Sequence, residues 1–131
     1  METLNFGEHY MVDAYMCDKD LLSSAKQVEW CIEEILLYTG MHKISEIITV
    51  TADDNFLLDP GGISSMVIIA ESHVSIHTFP DRRFFSMDCY TCKNNMDTDG
   101  IYKILNKYFD IWDAEINFVK RGTRYPASNI L

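Results

Sequence analysis

From His9 to Met16 the chain alternates, with Tyr10, Val12, Ala14 and Met16 on one side and His9, Met11, Asp13 and Tyr15 on the other. A period of two predicts a strand. After Asp18 the period lengthens: Leu21, Leu22, Ala25, Val28, Ile32, Ile35 and Leu36 recur at steps of three and four, which predicts an amphipathic helix. Asp18 can accept from the first free amides as its N-cap, and Gly40 can take the left-handed conformation that closes it.

Ile44 to Val50 is rich in β-branched residues and reads as the second strand. Asp53-Asp54-Asn55 and Asp59-Pro60-Gly61-Gly62 mark loops on either side of Phe56-Leu57-Leu58. Met66 to Ala70 is a buried strand by its apolar run, Ser72 to Thr78 continues extended, Phe79-Pro80-Asp81 turns the chain, and Arg83 to Thr91 returns as a strand. Asp97 or Thr98 caps a second helix carrying Ile101, Ile104, Leu105, Tyr108 and Phe109, and Trp112, Ala114, Ile116 and Phe118 alternate in a last strand. The order β-α-β-β-β-α-β predicts an α+β two-layer sandwich, a largely antiparallel sheet with two helices on one face.

The length of 131 residues suits one domain with one core. Twenty acidic against eleven basic residues give a net charge of −9, which repels a phosphate backbone and turns expectation away from nucleic acid toward a cationic small molecule. No run approaches the ~20 apolar residues of a membrane span, and the first thirty residues show no targeting pattern. A cytoplasmic protein is expected. Cys17, Cys31, Cys89 and Cys92 are then reduced thiols.

The densest chemistry lies in Glu71-Ser72-His73-Val74-Ser75-Ile76-His77-Thr78-Phe79-Pro80, with Ser64 upstream and Cys92 downstream. Phe6-Gly7-Glu8-His9, Val12 to Asp18, Gly62-Ile63-Ser64, Glu71-Ser72-His73, Ser75-Ile76-His77-Thr78 and Asp88-Cys89-Tyr90-Thr91-Cys92 follow one another between residues 5 and 122. In order and spacing they resemble the short prokaryotic S-adenosylmethionine decarboxylases, which make a pyruvoyl cofactor from an internal serine.

That resemblance implies that the Ser72 hydroxyl attacks the Glu71-Ser72 peptide bond, converting amide to ester. β-Elimination then releases residues 1–71, and loss of ammonia leaves a pyruvoyl group on residues 72–131. A fixed intramolecular attack gains up to ~7 to 11 kcal/mol over a bimolecular one. By the same resemblance Ser64 stabilises the oxyanion, His77 is the processing base, and Cys92 is the acid that returns a proton to the decarboxylated substrate. Histidine suits the role because its ordinary pKa of ~6.5 lies near neutrality. The resemblance also implies a homodimer of processed protomers and S-adenosylmethionine as the substrate, with polyamine synthesis as the destination. Strand parity puts Ser72 opposite His73, Ser75 and His77, so a bend or bulge is expected near residues 71 to 75.

Phe79, Asp81, Leu58 and Phe56 are the expected substrate-binding residues. The family usually has tryptophan where Phe79 stands, glutamate at Asp81 and an aromatic at Leu58; Phe56 can substitute for the last. These departures leave room for a homologous arginine or ornithine decarboxylase, or for a ligand-binding paralogue that never cuts itself. Cys89 and Cys92 have the C-x-x-C spacing of metal and redox sites, but no second pair accompanies them, and on a strand their thiols diverge. His73 and His77 have helical zinc spacing within a strand-forming sequence. No metal is expected, and His9 and His42 read as structural.

Overall fold

The structure, a computed structural model, describes residues 5–53, 61–70 and 72–125. Six strands form one sheet: β1 (Gly7–Tyr15), β2 (Ile48–Ala52), β3 (Gly62–Ile69), β4 (Ser72–Phe79), β5 (Phe84–Thr91) and β6 (Asp113–Arg121). Their order is β2-β3-β4-β5-β1-β6, and every neighbouring pair is antiparallel. The first strand is thus inserted between β5 and β6, far from its neighbours in sequence.

Among the described residues three helices back the sheet: α1 (Lys19–Leu22), α2 (Ala25–Thr39) and α3 (Thr98–Phe109). The α+β two-layer sandwich expected from the pattern is present, with two differences. The long helix is broken at Ser23 and Ser24 into α1 and α2, because the Ser24 hydroxyl accepts from the Gln27 N–H and starts a new helix. Asp18 still caps the first piece, and Gly40, at φ 72°, ends the second. The extended run from Met66 to Thr78 is two strands folded back on each other, so the described sheet has six strands where the pattern predicts five.

The core lies between the layers. Val28, Ile32 and Ile35 of α2 and Ile101, Leu105 and Phe109 of α3 meet Val12, Val74, Ile76 and Phe85 from the sheet, all of them buried. Phe85 and Phe109 pack with ring centroids 4.8 Å apart. Alternation along β4 sends Ser72, Val74, Ile76 and Thr78 into this core and leaves His73, His77 and Phe79 on the other, helix-free face. That open face also carries Ile48, Val50, Met66 and Ile68, which are 44% to 58% exposed. No helix among the described residues is long and apolar enough to cross a membrane.

Candidate active site

Ile69 pairs with Ser72 across the β3–β4 hairpin, so residues 70 and 71 alone connect the two strands. Glu71 lies outside the described residues. Ser72, 8% exposed, opens β4. The Cys92 N–H donates to Ser72 Oγ at 2.9 Å, and Cys92 Sγ lies 3.9 Å from the Ala70 carbonyl oxygen. Hydroxyl, thiol and hairpin turn therefore share one corner of the sheet. Cys92 stands just past the end of β5 at Thr91.

Of the four cysteines only Cys92 is not buried. Burial pushes the Cys89 thiol up to about 12 and Cys17 up to about 11, and it raises Cys31 as well. These three thiols remain protonated and inert. Cys89 is buried while Cys92 is not, and among the described residues no three His, Cys, Asp or Glu side chains converge to hold a metal ion.

His77 and Ser64 are direct partners across β3 and β4, and Ser64 Oγ lies 2.7 Å from His77 Nδ1 on the open face. The two side chains are adjacent to each other but lie away from Ser72. β4 keeps unbroken register with β3 from Ser72 to Thr78 and with β5 from His73 to Phe79. The expected bulge is therefore absent from residues 72 to 75: continuous ladders on both sides leave no unpaired residue. Five residues of straight strand separate position 72 from position 77 by about 16 Å, and their side chains point to opposite faces.

Phe79 is on the open face at the far end of β4, with its ring centroid 5.7 Å from that of Phe84. Asp81 follows in a single 3-10 turn, Pro80–Arg82, where Lys19 Nζ lies 3.1 Å from its carboxylate. Both sit with His77 at this end of the sheet, some seven residues or about 23 Å of strand from Ser72. Leu58 and Phe56 lie outside the described residues.

The open face also carries a network around His9, a residue whose sequence context predicts only a structural role. Asp88 Oδ1 lies 2.8 Å from His9 Nε2, and Arg121 Nη1 lies 3.3 Å from His9 Nδ1. A guanidinium can only donate, so Nδ1 accepts and the Nε2–H donates to Asp88. Arg121 also covers the Tyr90 ring at 4.9 Å, while the His73 ring stands 5.8 Å from Tyr90 and 6.3 Å from His9. Parity within each strand was visible in the sequence; that His9 and Asp88 share a face and are adjacent needed the β1–β5 register. Nearby, burial and then the Glu115 and Asp88 carboxylates hold Asp13 above the usual carboxylate range.

A two-layer α+β protein thus carries a hydroxyl and a thiol at one hairpin corner, with His77 and Phe79 at the opposite end of the same strand and Ser64 beside His77 on the neighbouring one. Comparison with known proteins narrows the class. Residues 8–122 match the family model described as S-adenosylmethionine decarboxylase. The S-adenosylmethionine decarboxylase proenzyme of Pyrococcus horikoshii is 34% identical over 122 residues, which cover 93% of this chain and 81% of that one. The S-adenosylmethionine decarboxylase proenzyme 2 of Bacillus cereus is 33% identical over 97 residues, covering 74% and 73%. In fold, the crystal structure of the adenosylmethionine decarboxylase from Aquifex aeolicus superposes with a TM-score of 0.73 at 23% identity, covering 90% of this chain and 92% of that chain. The chain belongs to the S-adenosylmethionine decarboxylase family.

Proposed function

We propose that the chain is a proenzyme that cuts itself between Glu71 and Ser72 into residues 1–71 and 72–131, and that the processed protein decarboxylates S-adenosylmethionine for polyamine synthesis. The observation that carries this reading is the Cys92 N–H on Ser72 Oγ at 2.9 Å. It fixes the hydroxyl at the hairpin corner next to the bond to be broken, with the one accessible thiol beside it. The names of the relatives support S-adenosylmethionine as the substrate, and a net charge of −9 suits its cationic sulfonium and ammonium groups.

In the cutting step the Ser72 oxygen bonds to the residue 71 carbonyl carbon as the C–N bond breaks, and the freed amine takes the hydroxyl proton. Loss of the Ser72 α-proton then expels the carboxylate of residue 71, and water replaces the nitrogen, which leaves as ammonia. The residues present fit the resulting pyruvoyl group: position 72 becomes an N-terminus in a nearly buried corner, with Cys92 alongside. When present, that ketone condenses with an amino group and withdraws electrons from the bond to the departing carboxylate. Cys92 holds a proton at Sγ within the same corner and can deliver it to the substrate Cα.

His77 of the same chain cannot serve Ser72 across about 16 Å of straight strand. A second copy can. In an isologous dimer whose open faces meet about a two-fold axis running across the strands, one end of β4 lies over the other end of its counterpart. Ser72 itself points to the core side, so the proposed contact is made around the end of the β3–β4 hairpin, where the Ser72 and Cys92 corner of one protomer meets the Ser64, His77, Phe79 and Asp81 end of its partner. The exposed Ile48, Val50, Met66 and Ile68 supply apolar surface for that contact. The proposed setting is the cytoplasm, where the thiols remain reduced.

Denaturing mass spectrometry tests the first claim. Two fragments, the second with a carbonyl in place of its N-terminal amine, are expected; one full-length mass after prolonged incubation would end the proposal. Release of CO₂ from S-adenosylmethionine, and not from arginine or ornithine, tests the second.

A further inference from the structure

The start of β1 grips the turn that follows Cys92. Glu8 is 5% exposed, and its two carboxylate oxygens accept from the backbone N–H groups of Met96, at 2.8 Å, and Asn95, at 3.2 Å. One residue earlier the backbones come so close that a Cβ on Gly7 would lie 2.2 Å from the Thr91 carbonyl oxygen and 3.0 Å from Cys92 Cα. Asn5, also buried, donates its side-chain amide to the Gly7 carbonyl oxygen at 2.8 Å. The same turn therefore carries Cys92 at its head and is tied by Glu8 at its tail.

We infer that Glu8 is a positioning residue for the self-cutting site: by fastening the turn from Cys92 to Met96 it sets both the Cys92 N–H against Ser72 Oγ and the direction of the Cys92 thiol. The inference rests on the proposed function and adds to it a group that touches neither Ser72 nor substrate. A carboxylate suits the task because it accepts from two backbone amides at once, and ionised acceptors make the shorter and stronger hydrogen bonds. Burial forces the bargain in one direction, since a buried carboxylate must keep its partners. A turn released from Glu8 lets Cys92 drift, and misplacement on the scale of ~1 Å can slow a positioned reaction by up to ~100-fold.

Glu8→Ala, Glu8→Gln and a core truncation in α2 matched for loss of Tm, Ile32→Val or Ile32→Ala, separate positioning from stability. Cutting followed by denaturing mass spectrometry is expected to slow about tenfold or more in Glu8→Ala and less in Glu8→Gln, which keeps one acceptor oxygen. The matched core variant should cut near the wild-type rate. Alkylation of the uncut chains by iodoacetamide, read cysteine by cysteine, gives a second measure. Glu8→Ala should change the rate at Cys92 while Cys17, Cys31 and Cys89 stay protected, whereas general loosening raises all four. Cutting of Glu8→Ala at the wild-type rate, or slowing equal to that of the core variant, overturns the inference. Should wild-type protein itself stay whole, the proposed function fails, and an unchanged Cys92 alkylation rate in Glu8→Ala then overturns the positioning role as well.

Discussion

Ser64 Oγ and His77 Nδ1 meet at 2.7 Å across two neighbouring strands, while the hydroxyl they are expected to serve lies at the other end of β4. If a second copy closes that gap, His77→Ala should slow cutting by about 100-fold, the usual scale for losing a general base. Mixing it with Ser72→Ala is the decisive arrangement. Ser72→Ala cannot be cut but carries an intact His77, so in mixed dimers the His77→Ala chain should be cut at a restored rate. Cutting that never recovers on mixing would place the base within one chain.

Cys92 contributes two different groups. Its N–H holds Ser72 Oγ, and any residue but proline retains that donor. Cys92→Ala is therefore expected to cut itself, as seen by mass spectrometry, yet to turn over substrate about 100-fold more slowly for want of the acid. Equal loss of cutting and turnover would show that the thiol matters before the cofactor exists.

Asp13 gives a pH signature. Burial first, then Glu115 and Asp88, raise its pKa in the folded chain. The folded state thus binds this proton more tightly than the unfolded one, and ionised Asp13 opposes folding at neutral pH. That penalty begins to fade as pH falls through the raised folded value and is gone below the unfolded value of ~3.9. Asp13→Asn should raise Tm near pH 7, with the gain shrinking to nothing in thermal scans below pH 4 or so. A gain that persists unchanged in acid would assign the effect to something other than charge.

Met66 and Ile68 are 44% and 51% exposed on the open face. Replacing an exposed side chain away from the core should alter stability by less than about 0.5 kcal/mol. Met66→Asp is accordingly expected to fold with nearly unchanged Tm, but to sediment as a monomer and cut slowly. A dimer that survives this charge would move the interface elsewhere.

The core offers a calibration. Phe109 is fully buried against Phe85, so Phe109→Ala should cost about 3 to 5 kcal/mol in chemical denaturation. A smaller loss would mean that α3 can close over the cavity.

Much of this architecture was legible in the chain. The alternation from His9 to Tyr15, the cap at Asp18 and the stop at Gly40 are local signals, and each appears where local chemistry places it. The β3–β4 hairpin was not legible, because the residues at its turn, Ala70 and Glu71, lack the glycine, asparagine or proline that marks a tight turn. Parity along β4 correctly set Ser72 against His77, but it suggested a bulge where the strand runs straight. The proposed contact with a second copy would leave no trace in the periodicity of one chain. Glu8 escaped for a related reason: its partners are 87 and 88 residues away, joined to it only by the β1–β5 pairing.

The insertion of β1 between β5 and β6 bears on what the proposed scission would leave behind. The fragment ending at residue 71 owns β1, β2 and β3; the other owns β4, β5 and β6. Each proposed fragment's strands are interleaved with the other's, so the nick would remove a covalent link without freeing either half. Neither piece has a closed sheet of its own, and the two should part only when the whole molecule melts.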